Sequence, residues 1–569
     1  MNIQRMSARY ERSSRTLLSK LVTLFFLVPF VVILSTQSAQ GQGFKITQLN
    51  APGTKAGTTF PLAVNASQNV VGGGTATAGG TVGFLYEGGK YTSIKYPGSS
   101  DFTRALGIND SNEVVGDFFL ASDKAYHGFT YIPATKTYKQ YDVDLGKVST
   151  AIFGVNSAGD CVGAEGNITT LNKGFVTNGC VGLPTDEFYA SGTDNTFAYA
   201  INNSREVVGE YFDSSNLQHG FYRTPGGTIV PLNYPGATQT IAYGINDAGE
   251  ITGYYFDTSG HTYGFTYIKG KYASTDFAST YGVNSKGAYV GQYWGVDGVA
   301  SGYLASPQAF TLSTVKVAGS QQSQLFGVNS SGVSVGYYVA SNGTQHGMMI
   351  SAGKVENIDD PNGTNSICFG INSTNQIVGV YTNGSGNMQG FEYTAGVFSD
   401  IEGPTGAVSS LAFGINDAGD IAGQYTESSG RTFGFVLTSG KYKTLNVPGS
   451  QFTQARGINS AGLVTVQWGD SKGYLQSSLY DGGKYTPINV PGAAVNHVQG
   501  INTAGDIVYF VTDPYGVGHG ALKSGNDYYI FDYPKGSDTI AGGINDSNLI
   551  VGAYIPSGKT APASFQATE

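Results

Sequence analysis

The residues with recognisable chemistry are scattered along the chain rather than clustered. Gly332 to Gly336 reads GVSVG and matches the GxSxG pattern, in which a serine on a strand-to-helix elbow attacks a carbonyl. Gly552 to Thr560 reads GAYIPSGKT and approaches a phosphate-cradling loop, although five residues separate its glycines where that loop needs four. His127, His219, His346 and His519 each precede a glycine at one point of a repeated phrase, and imidazole is a common metal ligand. Asp110, Asp160, Asp247, Glu250, Asp417, Asp420, Asp506 and Asp546 recur in turns, where the cation they would suit is calcium. Trp294 and Trp468, the only two tryptophans, offer flat faces for an apolar or sugar surface.

The elements that must position these residues form a repeat. The phrase reads GINDAGEITGYYF from Gly244, GINDSNEVVGDFF from Gly107, AINNSREVVGEYF from Ala200, GINSTNQIVGVY from Gly370 and GINDAGDIAGQY from Gly414. Its marker asparagines are Asn65, Asn109, Asn156, Asn202, Asn246, Asn284, Asn329, Asn372, Asn416, Asn459, Asn502 and Asn545, at spacings of 38 to 47 residues. Each unit holds four short β segments. The first ends in GIN, and a turn such as NDAG follows, where Asn and Asp bond nearby backbone and Gly accepts positive φ. The second is the IVGYY-like run, and the third is a GFTY-like run as at Gly128 and Gly264. A tight KGK or DGGK turn leads to the fourth, which often ends in Pro-Gly, as at Tyr96 and Val447.

Four antiparallel strands in about 43 residues match one blade of a β-propeller, so the expected fold is all-β with little helix. Twelve blades exceed the usual complement of one ring. Two six-bladed propellers are therefore expected, residues 42–306 and 320–569, joined through an irregular stretch from Ser306 to Gly319. One large closed ring and a β-solenoid are the alternatives. Phe44 to Gly53 looks like a fourth strand without its first three, and the last copy stops after its third, near Ala563 to Ala567. The two ends together are expected to complete one blade and so remove an exposed edge.

The repeat also limits what the motifs can do. Aligned with GEITG at Gly249 and GDIAG at Gly419, GVSVG puts Ser334 inside an ordinary second strand, where no elbow forms. Gly72 to Gly80 has no adjacent lysine and is expected to be a flexible surface loop. Histidines at equivalent blade positions lie too far apart to share an ion at bond lengths of about 2 Å, so each is expected to bond a neighbouring turn. Most copies offer one or two carboxylates where calcium wants six to eight oxygens, so the acids are assigned to turns and solubility, with calcium the one cofactor they could accommodate. Cys161 and Cys180 fall in the second and fourth segments of one repeat. Two strand spacings of about 4.8 Å separate those segments, so free, buried thiols are expected. Aromatics such as Tyr255 and Phe265 are expected to pack between blades. Trp294 and Trp468, at second-strand ends, remain as binding candidates; no catalytic, cofactor-binding or metal residue is assigned.

Charge and the N-terminus bound the surroundings. Arg5, Arg9, Arg12, Arg15 and Lys20 precede an apolar run from Leu21 to Leu34, and small residues follow at Ala39 and Gly41. This is the pattern of a signal peptide, residues 1–41, too short in its apolar part to span a bilayer comfortably. Its removal leaves 26 basic against 39 acidic residues, a net charge of −13. Such a surface disfavours nucleic acid. Gly at 83 residues, 38 tyrosines, 31 phenylalanines and only 12% charged residues describe a turn-rich β protein.

The GIN-x-x-G-x-(I/V)-x-G core followed by HGF at His127 and His219, HGM at His346 and HGA at His519 resembles the bacterial extracellular HAF-repeat family, over residues 44–569. The resemblance implies export and a repeat architecture, and it brings no catalytic residues. The end of the chain, Phe565 to Glu569, has no apolar anchor, which favours release or non-covalent surface association, with the periplasm as the alternative location. The expected function is a non-catalytic extracellular binding module for a glycan, an envelope component or a protein, with no membrane span after signal cleavage. A propeller lyase or hydrolase acting on polysaccharide, and a structural or adhesive surface-layer component, are the alternatives.

Overall fold

The computed structural model describes residues 38–569 except 144–147, 168–169, 191–194, 276–278, 295–298 and 514–515, so most of the expected leader lies outside the described residues. Among those described are 47 strands and no α-helix. No helix among them is long and apolar enough to cross a membrane.

The blade of Asn246 shows how the sequence folds locally. Strands Gln239–Ile245, Ile251–Phe256, Thr262–Ile268 and Lys271–Ser274 pair antiparallel in chain order. The Asn246 side-chain oxygen accepts the backbone N–H groups of Ala248 and Glu250, both at 3.0 Å, and Gly249 takes φ 76° to close the turn. The first strand carries a bulge between Ala242 and Gly244, which sharpens the twist that an innermost strand needs. The glycine of the second strand is required by the same packing: a Cβ on Gly253 would fall on the Ile241 carbonyl. This corrects the expectation for Gly72 to Gly80. Gly72 is the equivalent glycine, its Cβ would meet the Phe60 carbonyl, and Gly72, Gly73 and Gly74 lie inside strand Val70–Thr75 rather than in a loop.

Ring closure is written in the marker asparagines. In the first ring each Nδ2 donates to the carbonyl of the next marker, Asn65 to Asn109, Asn156, Asn202, Asn246 and Asn284, and Asn284 returns to Asn65 at 2.8 Å. A second ladder runs from Asn329 through Asn372, Asn416, Asn459, Asn502 and Asn545, which returns to Asn329 at 2.9 Å. The fold is therefore two closed six-bladed propellers.

The closing strands differ from the expectation. The chain ends do not share a blade. The N-terminal strand Ser38–Leu49 completes the blade of Asn284, where Leu49 pairs with Gly302 and Ile46 with Ala305. The blade of Asn545, ending in Ala563–Thr568, is completed by residues 311–315, with Thr311 opposite Thr568. Residues 306–315, expected to be irregular, thus belong to one continuous strand, Ala300–Val315. The first half of that strand serves the first ring and the second half closes the second, because two rings require two closures. A cut after Gly41 would shorten the N-terminal strand by four residues and leave its pairing with residues 302–305 in place.

The two long strands run antiparallel to each other from Ser38 opposite Ser313 to Leu49 opposite Gly302. The N-terminal strand also pairs with Asp527–Phe531 of the second ring, where Lys45 Nζ lies 2.6 Å from Asp527. Ile46, Tyr289 and Tyr303 of the first ring share one buried cluster with Val490, Val498 and Tyr509 of the second. Elsewhere the cores lie between neighbouring blades, as where Val71 and Leu85 meet Val114, Phe118 and Phe129.

Candidate functional site

Three positions of every repeat share the channel face: five and three residues before the marker on the innermost strand, and eight residues after it on the second. Alternation along the strand puts the first two on one side, and antiparallel pairing sets the third directly opposite the first, as Arg104 opposite Asp117.

In the first propeller several of these positions pack against or bond one another. Leu62, Leu106 and Phe153 form an apolar cluster against which Tyr199, Tyr243 and Tyr281 pack, and the rings of Tyr199 and Tyr243 stack at 4.5 Å. Arg104 donates from Nε and Nη2 to Asp117 at 3.0 and 2.5 Å. Tyr199 donates to Glu210 at 2.6 Å, Gln218 donates to the other Glu210 oxygen at 3.0 Å, and Tyr281 donates to Gln292 at 3.1 Å. Burial opposes the Arg104 charge, yet the Asp117 carboxylate more than offsets it and raises the guanidinium pKa. Burial raises the Glu210 pKa, and the hydrogen bonds from Tyr199 and Gln218 offset only part of that.

The second propeller differs at its one channel arginine. Phe326, Phe369, Phe413, Arg456, Gln499 and Gly542 stand three residues before their markers and line a cavity of about 80 Å³. The rings of Phe326 and Phe369 lie 4.9 Å apart, those of Phe369 and Phe413 5.1 Å, and the Arg456 guanidinium carbon sits 4.5 Å from the Phe413 ring centre. The residue eight after the marker in this blade is Gln467, which is already committed. Its amide donates to the Asn496 and Gln476 carbonyls at 3.0 and 3.2 Å, and its oxygen accepts Val498 N–H at 3.1 Å. Among the described residues Arg456 has no carboxylate partner, and its Nε is enclosed without a hydrogen bond. Protein surrounds the side chain, and the channel leaves part of it reachable. Burial lowers its pKa to about 10. Burial, with the Arg456 charge beside it, lowers the pKa of His497 to about 4. Tyr337 Oη and Gln424 Oε1, both eight residues after a marker, are likewise enclosed without partners.

No family model and no curated protein matches this chain. Solved structures similar to it include TolB from Acinetobacter baumannii, at 13% identity over 57% of this chain and 80% of that one, with a TM-score of 0.30. The β-propeller domain of the Trilobed protease from Pyrococcus furiosus matches at 9% identity over 76% of this chain and 100% of that one, TM-score 0.21. The BP39L lectin from Burkholderia pseudomallei matches at 10% identity over 57% and 94%, TM-score 0.23. The assignment of two six-bladed rings rests on the blade topology and the two asparagine ladders.

The residues singled out in the sequence are placed as follows. Trp294 ends strand Tyr289–Trp294 in the first ring and is 62% exposed. Trp468, in the second ring, is half-buried, packs with Val464 and Tyr480, and donates from Nε1 to Ser478 at 3.0 Å. The two belong to different propellers and are not brought together. Ser334 begins strand Ser334–Ala340 and is buried. The four repeat histidines bond residues that follow the fourth strand of their own blade: His127 to Asp142 at 2.7 Å, His219 to Asn233 at 2.9 Å, His346 to Asp359 at 2.7 Å and His519 to Asp532 at 2.9 Å. Among the described residues no group of three or more His, Cys, Asp or Glu is placed to hold a metal ion. The acids directly after a marker latch neighbouring blades: Asp110 accepts Ala66 N–H at 2.7 Å and Asp417 accepts Ser373 N–H at 2.8 Å.

The cysteine expectation is overturned. Cys161 and Cys180 form a disulfide with Cα atoms 5.2 Å apart. Cys180 lies not in a fourth strand but in the loop after Thr170–Val176, which turns back beside Thr177, whose N–H bonds the Cys161 carbonyl at 2.8 Å. Positive φ at Gly179 and Cys180 makes that return. Cys368 is a buried free thiol.

Arg456 was not nominated by the motif reading. Its signal is positional: RGIN stands where most sister copies carry an aromatic or leucine, as in FGIN, YGIN and LGIN, and it is the one cation among the twelve.

Proposed function

We propose that this protein is an exported, non-catalytic binding module of the HAF-repeat kind, acting on an extracellular glycan, envelope component or protein. The single observation that carries the reading is the contrast between the two channels. Arg104 of the first is paired with Asp117, whereas Arg456 of the second lines a cavity of about 80 Å³ and keeps its Nε without a hydrogen bond. A concave cavity on which a few polar groups converge is a common form of ligand site. Trp294, standing in solvent on the first ring, supplies a second contact surface.

The test is a binding screen of the exported protein against polysaccharides and envelope fractions, with product release assayed in the same wells. Saturable binding without turnover supports the module.

The polysaccharide lyase or hydrolase is the second reading, favoured by Asp117 and Glu210. These carboxylates come from different blades, and both raise the pKa of Tyr243 from the same channel, after the larger effect of its burial. Turnover abolished by Glu210→Gln would establish it in place of the module.

A further inference from the structure

Each propeller has a cation at a channel position, and only one of the two has a counter-ion. Arg104 is held by Asp117 in a two-point pair within its own blade. Arg456 stands three residues before its marker, on the bulge where the strand has no cross-strand partner, no carboxylate pairs with it among the described residues, and its guanidinium lies over the Phe413 ring. A buried charge without a partner is costly, and a ring face returns only part of that cost. In a chain with 40 acidic residues, the absence of one beside this guanidinium leaves a place for an anion to be supplied from outside.

We infer that the channel of the second propeller is a carboxylate site, in which Arg456 takes the anionic end of a ligand and Phe326, Phe369 and Phe413 take its planar apolar stem. The inference rests on the reading that this channel is the binding site. A planar guanidinium presents paired donors that match a planar carboxylate, and one positive charge balances one negative charge in a small cavity. A doubly charged phosphate would leave a residual charge desolvated among the phenylalanines. The cavity, about 80 Å³, admits a carboxylate with the first atoms of its stem. Gln499, which lines the same cavity, is a further donor of the right kind. The acid can be a free small molecule or the terminal carboxylate of a chain ending in an aromatic residue.

The probes are benzoate, its neutral isostere benzamide, inorganic phosphate, and a tripeptide ending in phenylalanine as the free acid and as the amide. Each is titrated calorimetrically into the full-length exported protein. Saturable one-to-one binding of benzoate or of the peptide acid, with benzamide, the peptide amide and phosphate at least tenfold weaker, is the expected result. A peptide acid tighter than benzoate assigns the source to a chain end, and the reverse order assigns it to a free acid. Arg456→Met removes the charge while keeping the stem, and is expected to weaken acid binding about 10- to 100-fold without lowering the thermal midpoint. In the wild type, bound acid is expected to raise the His497 pKa, because the anion neutralises Arg456, a readout that loss of shape alone would not produce.

Failure of both acids to saturate, or equal binding by the Arg456→Met protein, overturns the inference. If the acids fail while the polysaccharide and envelope screen is positive, the carboxylate site falls and the module stands. If the acids bind through Arg456 and that screen is negative, the site stands and the polymer ligand falls.

Discussion

Asn284 donates its side-chain amide to the carbonyl of Asn65 at 2.8 Å, across 219 residues of sequence, and so closes the first propeller. Its side-chain oxygen meanwhile accepts Lys286 N–H and Ala288 N–H, both at 2.9 Å. One buried side chain therefore makes the turn of its own blade and the bond to the next. Asn284→Ala leaves three backbone groups without these partners and is expected to cost about 2–4 kcal/mol. Urea unfolding beside the exposed control Lys286→Ala checks this, and equal midpoints would show that the ladder is not stabilising.

The disulfide of Cys161 and Cys180 closes a short loop, with a sequence separation of 19, and its loss is expected to cost about 3 kcal/mol. Thiol titration gives a sharper reading. Native protein should expose no reactive thiol, unfolded protein without reductant should show one, from Cys368, and reduced unfolded protein should show three. Three thiols without reductant would contradict the pairing.

His497 has a folded-state pKa lowered to about 4, by burial and then by Arg456, against an ordinary value of about 6.5. Between those values the unfolded chain binds more protons than the folded one. The contribution to stability is therefore fully present above about pH 6.5 and is lost as pH falls toward 4. Arg456→Met is expected to raise the His497 pKa, measured by following its ring protons by NMR. An unchanged titration would mean that the Arg456 charge does not reach the imidazole.

His127 titrates in the opposite sense. The hydrogen bond it donates to the Asp142 carboxylate raises its pKa, against burial and with help from Asp123. Its contribution is fully present below the unfolded value of about 6.5 and is lost as pH rises through the folded one. Asp142→Asn should bring the His127 pKa down, and a titration that stays put would assign the shift to Asp123 alone.

The two tryptophans should separate cleanly by fluorescence. Trp294 is 62% exposed, whereas Trp468 is half-buried and hydrogen-bonded to Ser478. Trp468→Phe should leave emission readily quenched by acrylamide, and Trp294→Phe should leave blue-shifted, protected emission. Similar quenching in both variants would contradict these placements.

The blade is legible in the sequence because its causes are local: the Asn246 turn, Gly253 and the alternation of strand faces all act within about a dozen residues. The twelve-fold count can be read from the markers, whereas two six-bladed rings are only the expected division, with one large ring and a solenoid left open until the two ladders close. The Asn284 to Asn65 closure, the shared strand Ala300–Val315 and the return of Cys180 toward Cys161 are not legible, because strand partners and loop paths depend on which distant segments compete for an edge. A fourth-strand-like segment at Phe44 can be recognised, but the blade it completes cannot. The same holds for the candidate site. RGIN marks Arg456 as different from its sister residues, and the histidines announce turn contacts by their shared position. Whether a charge is compensated depends on three-dimensional neighbours. Arg104 meets Asp117, Arg456 meets the Phe413 ring and no carboxylate among the described residues, and only the tertiary structure decided which of the two arginines was left with an unbalanced charge.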